Sequence, residues 1–570
     1  MSFNVTSAPC RTSITVSSLA ELRSHIANDK SLPPRRQRDM VSAAASLAKA
    51  LGRPLEAIPA APAHIREATA HLTPAMVGLK PGRWRNVQSL VSAALAHVGI
   101  VTIQGRLREQ PSTAWRAILS LLGTGVGAHF HLWRFARYCT QAGIAPEAVN
   151  DQAINRYTQD LTTSSLVSQP KRAAREAARA WNAAMALHPA WPQFPLTIPD
   201  NRNIFSPDWN AYPPSLAAQI DAWIARLTDR RLFNGRPGKA LKSSSAETMR
   251  RHLRAYLGAL VAAGVKPEAL TSLEAAVTPE NAGLALNYFW EKAGGKATVY
   301  TYKHIQLVLM IARHEAKLPP AQIKELEAMV PDLKPAGGRI TERNVARLRQ
   351  LDDPHKMQRL LGLPETLIAK AKRLGAPSVR TAHEVQTAAM VEILLNLPMR
   401  LKNLRSLRLG IHVLRDQRGI FRIIVPGEEV KNGTPIDSLL SKATSDLLAL
   451  YIDNYRPLLA PNGSDHLIPG QCPGTPKSDQ GTRSQIQDAL AHHVGIAFHP
   501  HAFRHLAAYL VLRENPQAHG LVQRMLGHNS LHATMTFYSG LESDAAIQHL
   551  DALIARQRQT FASGRICRSR

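Results

Sequence analysis

Cysteine, acidic residues and long apolar runs are all scarce in this chain, and each shortage narrows what it can be. The four cysteines (Cys10, Cys139, Cys472, Cys567) lie far apart and form no Cys-x-x-Cys pair. That argues against a disulfide framework or a cysteine zinc site, and it suits a reducing cytoplasm. No uninterrupted apolar run is long enough to span a bilayer. The opening MSFNVTSAPCRTS lacks the charged-then-apolar order of an export signal. The expectation is a soluble intracellular protein, in the cytoplasm or nucleoid of a bacterium. Acidic residues number 42 against 70 Lys and Arg, a net charge of +28. Such an imbalance favours a polyanionic partner, with nucleic acid as the default. At 570 residues, 45% hydrophobic and 20% charged, the chain has ordinary globular composition and is long enough for three or four domains.

The most informative stretch runs from His499 to Tyr538. Pro500 suits the first turn of a helix. Phe503, Leu506, Ala507, Leu510 and Val511 recur with the spacing of one apolar helical face. His501 and Arg504 are three apart and so neighbours on an adjoining face. A short apolar helix follows (Leu521, Val522, Met525, Leu526), then Gly527, which suits a helix end with positive φ, and His528. Tyr538 stands beyond. Two imidazoles, a guanidinium and a phenol make a set suited to handling phosphate.

These residues resemble the tyrosine recombinases, the phage integrase family. HAFRH (501–505) resembles the family's His-x-x-Arg box, and Leu526-Gly527-His528 its Leu-Gly-His box. The family's usual spacing from that box puts the nucleophilic tyrosine at position 537, which is Phe537 here, with Tyr538 one residue on. A single step along a helix turns a side chain by about 100°, so a local adjustment must compensate. The other candidate, Tyr509, shares a helix with Arg504 and is poorly aimed.

Upstream, the helix-like run 386–397 is apolar nearly all round and must be buried. It ends in Pro398-Met399-Arg400, so Arg400 leaves the core at a helix junction. Taken alone it could be a structural arginine paired with a carboxylate. The resemblance gives it the place of the first catalytic arginine (Arg-x-x-Glu), with Asn403 in the glutamate position. IHVL, DQRG, IFRIIV and EVKNGTPID then read as short strands and turns, and Asn432-Gly433 is a two-residue hairpin signal. Lys431 precedes it at the expected hairpin tip. A lysine there is usually just solvated, but the family carries its catalytic lysine on such a hairpin.

An internal repeat precedes all this. HLWRFARYCTQAGIAPEAV (131–149) aligns without gaps to HLRAYLGALVAAGVKPEAL (252–270). Each copy is an apolar-faced helix stopped by glycine (Gly143, Gly264), with proline opening the next turn (Pro146, Pro267). The expected fold is therefore mainly α, with a small antiparallel sheet in an α+β catalytic domain. The expected order is a helical region of unknown role (1–110), a first core-binding-like repeat (111–190), a proline- and aromatic-rich connector (191–239), a second core-binding domain (240–332) and a catalytic domain (340–560). Its last helix (543–556) would, by the resemblance, dock on a neighbouring protomer. In the first region the basic cluster Arg35, Arg36 and Arg38 suggests a solvated arm or one touching DNA phosphates.

Cleaving a phosphodiester requires stabilising charge on oxygen, activating a nucleophile and protonating a leaving group. The resemblance assigns Arg400 and Arg504 to the phosphate, His501 and His528 to hydrogen bonding and proton exchange, Lys431 to the leaving 5′ oxygen, and Tyr538 to a covalent phosphotyrosine. No cofactor or metal is implied. The partners implied are double-stranded DNA and three further copies of the chain, a homo-tetramer on two duplexes, with no membrane. Alternatives are an inactive or accessory DNA-binding member and a type IB topoisomerase-like enzyme. A zinc site on His501 and His505, four residues apart, lacks further ligands nearby.

Overall fold

The computed structural model describes residues 16–103, 110–122, 127–199, 206–229, 240–335, 340–460 and 463–538, with 547, 550–556 and 558–559 near the end. The fold is mainly α with one three-stranded antiparallel sheet. Chain contacts divide it into two compact units, residues 200–337 and the remainder.

In the larger unit, helices Leu19–Asn28, Pro34–Leu51, Pro62–Thr69 and Pro81–His97 form a bundle around Leu22, Leu47, Trp84, Val87 and Leu95. Three of them begin on proline, which has no N–H to leave unpaired in a first turn. The arm expected here is thus a packed bundle, because the Pro34 helix has an apolar face (Met40, Ala43, Leu47) that must be covered. Arg35, Arg36 and Arg38 sit exposed at its start. Arg66 pins the bundle to the next helices, donating to the carbonyls of Ser165 and Thr162 at 2.9 Å each.

Those helices (Gly127–Gln141, Asp151–Ser164, Pro170–Leu187) enclose Trp115, Phe135, Tyr157 and Trp181. Residues 191–199 strap across them. Trp191 lies edge-on to Trp181, and Asn182 exchanges two hydrogen bonds with the Leu196 backbone, each 2.8 Å. The smaller unit has its own core of Leu216, Trp223, Leu253, Tyr256, Phe289 and Ile305. The repeat is visible in both units. Gly143 (φ 69°) and Gly264 (φ 100°) end their helices in the left-handed region. The next N–H then reaches back in the same way, Ile144 to Cys139 (2.8 Å) and Val265 to Leu260 (3.0 Å).

The C-terminal half of the larger unit is built on Val379–Asn396, begun by a capping box between Ser378 and Thr381. Ala382, Val385, Ala389, Ile393 and Leu394 are all buried, as the run's all-round apolarity demands. Strands β1 (Val413–Arg415), β2 (Phe421–Val425) and β3 (Ile436–Leu439) follow, in the order β1-β2-β3. β1 and β2 join through a tight turn at Asp416–Gly419. β2 and β3 pair from Val425 opposite Ile436, so Asn432-Gly433 lies in a ten-residue loop (426–435) and not at a two-residue hairpin. Pro426 and Pro435 flank that loop, and proline has no N–H to extend the ladder inward. Of the expected helix 543–556, residues 543–546 and 548–549 lie outside the described residues. Ile547, Leu550, Leu553 and Ile554 are helical and exposed. Among the described residues no helix is long and apolar enough to cross a membrane.

Candidate active site

Three segments far apart in sequence converge beside the sheet. Arg400 caps the short helix Leu401–Ser406, and the loop 426–435 brings Lys431 and Asn432. The last segment holds helices Ala502–Glu514, His519–Leu526 and Leu531–Tyr538. The Ala502 helix buries a stripe different from the one its apolar spacing suggests. Arg504 and His505 are inside with Phe503, Leu506, Ala508 and Leu512, while Leu510 is exposed.

Arg504 is the hub. Its guanidinium donates to the carbonyl of Pro398 (2.7 Å) and to that of Leu526 (2.6 Å). One buried side chain thereby fixes both the approach to Arg400 and the turn leading to His528. Arg400 in turn donates from Nη1 to Asn432 Oδ1 at 2.6 Å. Both arginines line a cavity of about 320 Å³ with Asn403, Asn432, Thr434, Arg524 and Gly527. The carboxylate on its wall, Asp437, is held by Arg422. Among the described residues neither Arg400 nor Arg504 has an acidic partner; every acceptor they meet is neutral. Burial pulls the pKa of Arg504 down to about 10, and Arg400 adds to the effect. Burial lowers that of Arg400 as well.

Gly527 adopts φ 60° and ends the His519 helix, placing His528 beside the cavity. His528 Nδ1 lies 3.0 Å from Thr534 Oγ1, and its ring is parallel to that of Tyr538 with centroids 6.1 Å apart. Desolvation, then Arg504, Arg400 and His501, hold the pKa of His528 below its usual value. His501 is lowered by desolvation and then by Arg504, Arg400 and Lys431. Lys431 itself is exposed. Of the residues singled out from sequence, Arg504, Arg400 and Lys431 thus act on His501, and Arg504, Arg400 and His501 act on His528.

Tyr538 is 1% exposed. Burial raises its phenol to about 12, while Arg504 pulls the other way. Its hydroxyl is 3.3 Å from Nδ1 of His505. Arg347 donates to Asn344 Oδ1 (2.8 Å), which turns the amide nitrogen of Asn344 toward His505 Nε2 (3.4 Å). Nε2 is then the acceptor and Nδ1–H the donor to the phenol oxygen. Phe537, by contrast, stacks on His505 and packs on the core, and its carbonyl accepts from the Ile340 N–H at 2.8 Å. Tyr509 donates its hydroxyl to Asp352 and does not join the cluster. His501 and His505 have centroids 5.2 Å apart, and among the described residues no group of His, Cys, Asp or Glu is arranged to hold a metal.

The profile of the phage integrase family matches residues 365–543, a span that contains the whole cluster. The chain carries a phage integrase domain. Among solved structures, this chain is similar to XerA recombinase at 15% identity, over 58% of this chain and 98% of that one, with a TM-score of 0.25. An integrase from mycobacterium phage Brujita is likewise 15% identical, over 58% of this chain and 92% of that one, with a TM-score of 0.22. No curated protein matches. Within the integrase domain, sequence reasoning missed Asn432 as a partner of Arg400. The Asn-Gly pair gave a turn signal, and nothing local announces a contact with a residue more than thirty positions away.

Proposed function

We propose that the chain is a site-specific DNA recombinase that cuts and rejoins DNA through a 3′-phosphotyrosine, working as a tetramer on two duplexes and serving a mobile element. The observation that carries this reading is the pair of desolvated guanidiniums that have no acidic partner among the described residues. Burying uncompensated charge is costly, so the pair favours a dianionic or anionic ligand strongly, and a phosphodiester fits both its charge and its two-pronged donors.

In the proposed reaction the Tyr538 oxygen attacks phosphorus as its proton passes to an imidazole, with His501 or His528 as the receiver. Arg400 and Arg504 neutralise the non-bridging oxygens. The bond to the 5′ oxygen breaks, and that oxygen takes a proton from Lys431. The phosphotyrosine keeps the linkage available for a second 5′ hydroxyl. Neutral histidines, which their lowered pKa values ensure near pH 7, are suited to receiving that proton. Since Tyr538 is sheathed in the described state, the Leu531 helix must shift before the phenol meets DNA. The exposed apolar stripe of 547–554 supports docking on a second copy, which would supply such a shift.

The test is a duplex nicked opposite the cleavage point, using sequence selected by the protein from a randomised pool. A covalent protein–DNA adduct is expected from the wild type, and none from Tyr538→Phe. An adduct that persists in the variant moves the nucleophile elsewhere. No adduct from either protein favours the accessory DNA-binding reading.

A further inference from the structure

We infer that Asn432 is a positioning residue that aims Arg400 and couples it to the loop carrying Lys431, an inference that rests on the recombinase reading above. Among the described residues no carboxylate bonds Arg400, and Asp437 on the cavity wall is held by Arg422 instead. Three residues along its own helix stands Asn403, which is 3% exposed and whose Nδ2 has no hydrogen-bond partner among the described residues. Asn403 lines the cavity but is not the residue that holds the guanidinium. Asn432 is, through a 2.6 Å hydrogen bond from a different element.

The loop is built to keep Asn432 there. Gly427 and Gly433 approach so closely that a Cβ on Gly427 would overlap the Gly433 carbonyl oxygen. Gly433 has φ 77°, and its N–H closes a turn on the Val430 carbonyl at 3.3 Å. On the other side, a Cβ on Gly527 would meet Thr434 at 3.5 Å and the Asn432 amide nitrogen at 3.6 Å. The loop is thus wedged between Arg400 and the turn before His528. Lys431 and Asn432 are adjacent, so fixing the amide on Arg400 also fixes where the lysine backbone sits. A neutral acceptor has a further consequence. It orients the guanidinium without cancelling its charge, whereas a carboxylate would do both.

Five full-length proteins decide the matter: wild type, Asn432→Ala, Asn432→Asp, Arg400→Lys and the double variant carrying Asn432→Ala with Arg400→Lys. Without DNA, the reaction of Arg400 with phenylglyoxal is followed by peptide mass spectrometry. Loss of one hydrogen bond to a charged group corresponds to roughly ten- to a hundredfold, so Arg400 should react faster in Asn432→Ala by up to that factor. Asn432→Asp, which keeps the acceptor oxygen, should restore protection. On the nicked duplex, Asn432→Ala should slow single-turnover adduct formation by a similar factor with DNA affinity changed less than about threefold. Asn432→Asp should cleave faster than Asn432→Ala yet bind DNA more weakly than wild type. In an Arg400→Lys background, Asn432→Ala should add little further loss, because it acts through the residue already altered. Equal Arg400 reactivity in wild type and Asn432→Ala overturns the inference, as does full additivity with Arg400→Lys. If the wild type forms no adduct, the recombinase reading fails, while the chemical-modification arm still decides what Asn432 does.

Discussion

At the level of single residues, the site holds groups in states that folding alone would not select. His505 is buried against His501, Phe537 and Tyr538, and desolvation takes its pKa down to about 3. The unfolded chain binds that proton near pH 6.5 and the folded chain does not, so stability is complete above pH 6.5 and lost as the pH falls toward 3. From pH 6.5 to pH 5 the loss is roughly 2 kcal/mol for this one side chain, and His499, pulled down to about 4 by burial first, acts in the same direction. Urea titrations at pH 7, 6 and 5 should show this slope, and His505→Asn should flatten it. Arg504 offers a second test. Replacing it with methionine leaves the Pro398 and Leu526 carbonyls without their donor, at about 1–3 kcal/mol each. It also removes a cation whose pKa burial and then Arg400 have lowered to about 10, a combined cost of roughly 3 kcal/mol. The two effects oppose each other. Arg504→Met should change unfolding free energy by anything from a gain of about 1 to a loss of about 3 kcal/mol while abolishing adduct formation, which denaturant titration and the nicked-duplex assay together would show.

At the level of elements, the loop 426–435 matters most. Gly427→Ala should push the loop off Arg400, costing about 1–3 kcal/mol as overpacking does and lowering cleavage well beyond that. Gly419→Ala, in the open turn between β1 and β2 at φ 78°, should cost about 1 kcal/mol and leave cleavage untouched. The same loop shows where sequence reading stops. Arg400 was legible because an all-apolar helix ending in Pro-Met-Arg can only deliver its arginine at a junction. Gly527 was legible because a helix end with φ 60° selects glycine. The hairpin was misplaced because Asn-Gly is a local signal, while the flanking prolines decide how far the ladder runs. The side of the Ala502 helix that faces inward was also misjudged. Its apolar spacing could not reveal that Arg504 finds two carbonyls inside, which makes burying a guanidinium tolerable. That the Phe537 carbonyl takes the Ile340 N–H while the Tyr538 hydroxyl meets His505 is likewise invisible in a linear pattern.

At the level of the whole chain, a net charge of +28 implies binding that weakens steeply with salt. If six to ten phosphates are contacted, affinity for duplex DNA should fall about 10³–10⁵-fold between 50 and 200 mM salt, measurable by fluorescence anisotropy. A slope near zero would mean that the basic surface serves something other than DNA. The amino-terminal bundle is not an appendage to this surface. Thr73 donates its hydroxyl to the Ala491 carbonyl at 2.5 Å, and a Cβ on Gly495 would come within 2.9 Å of the Ala75 backbone. The residues so covered lie just ahead of the irregular stretch leading to His499 and His501. A shortened protein beginning near residue 111 would leave that seat bare, and its defects would report missing scaffolding around the histidines as much as any lost grip on nucleic acid.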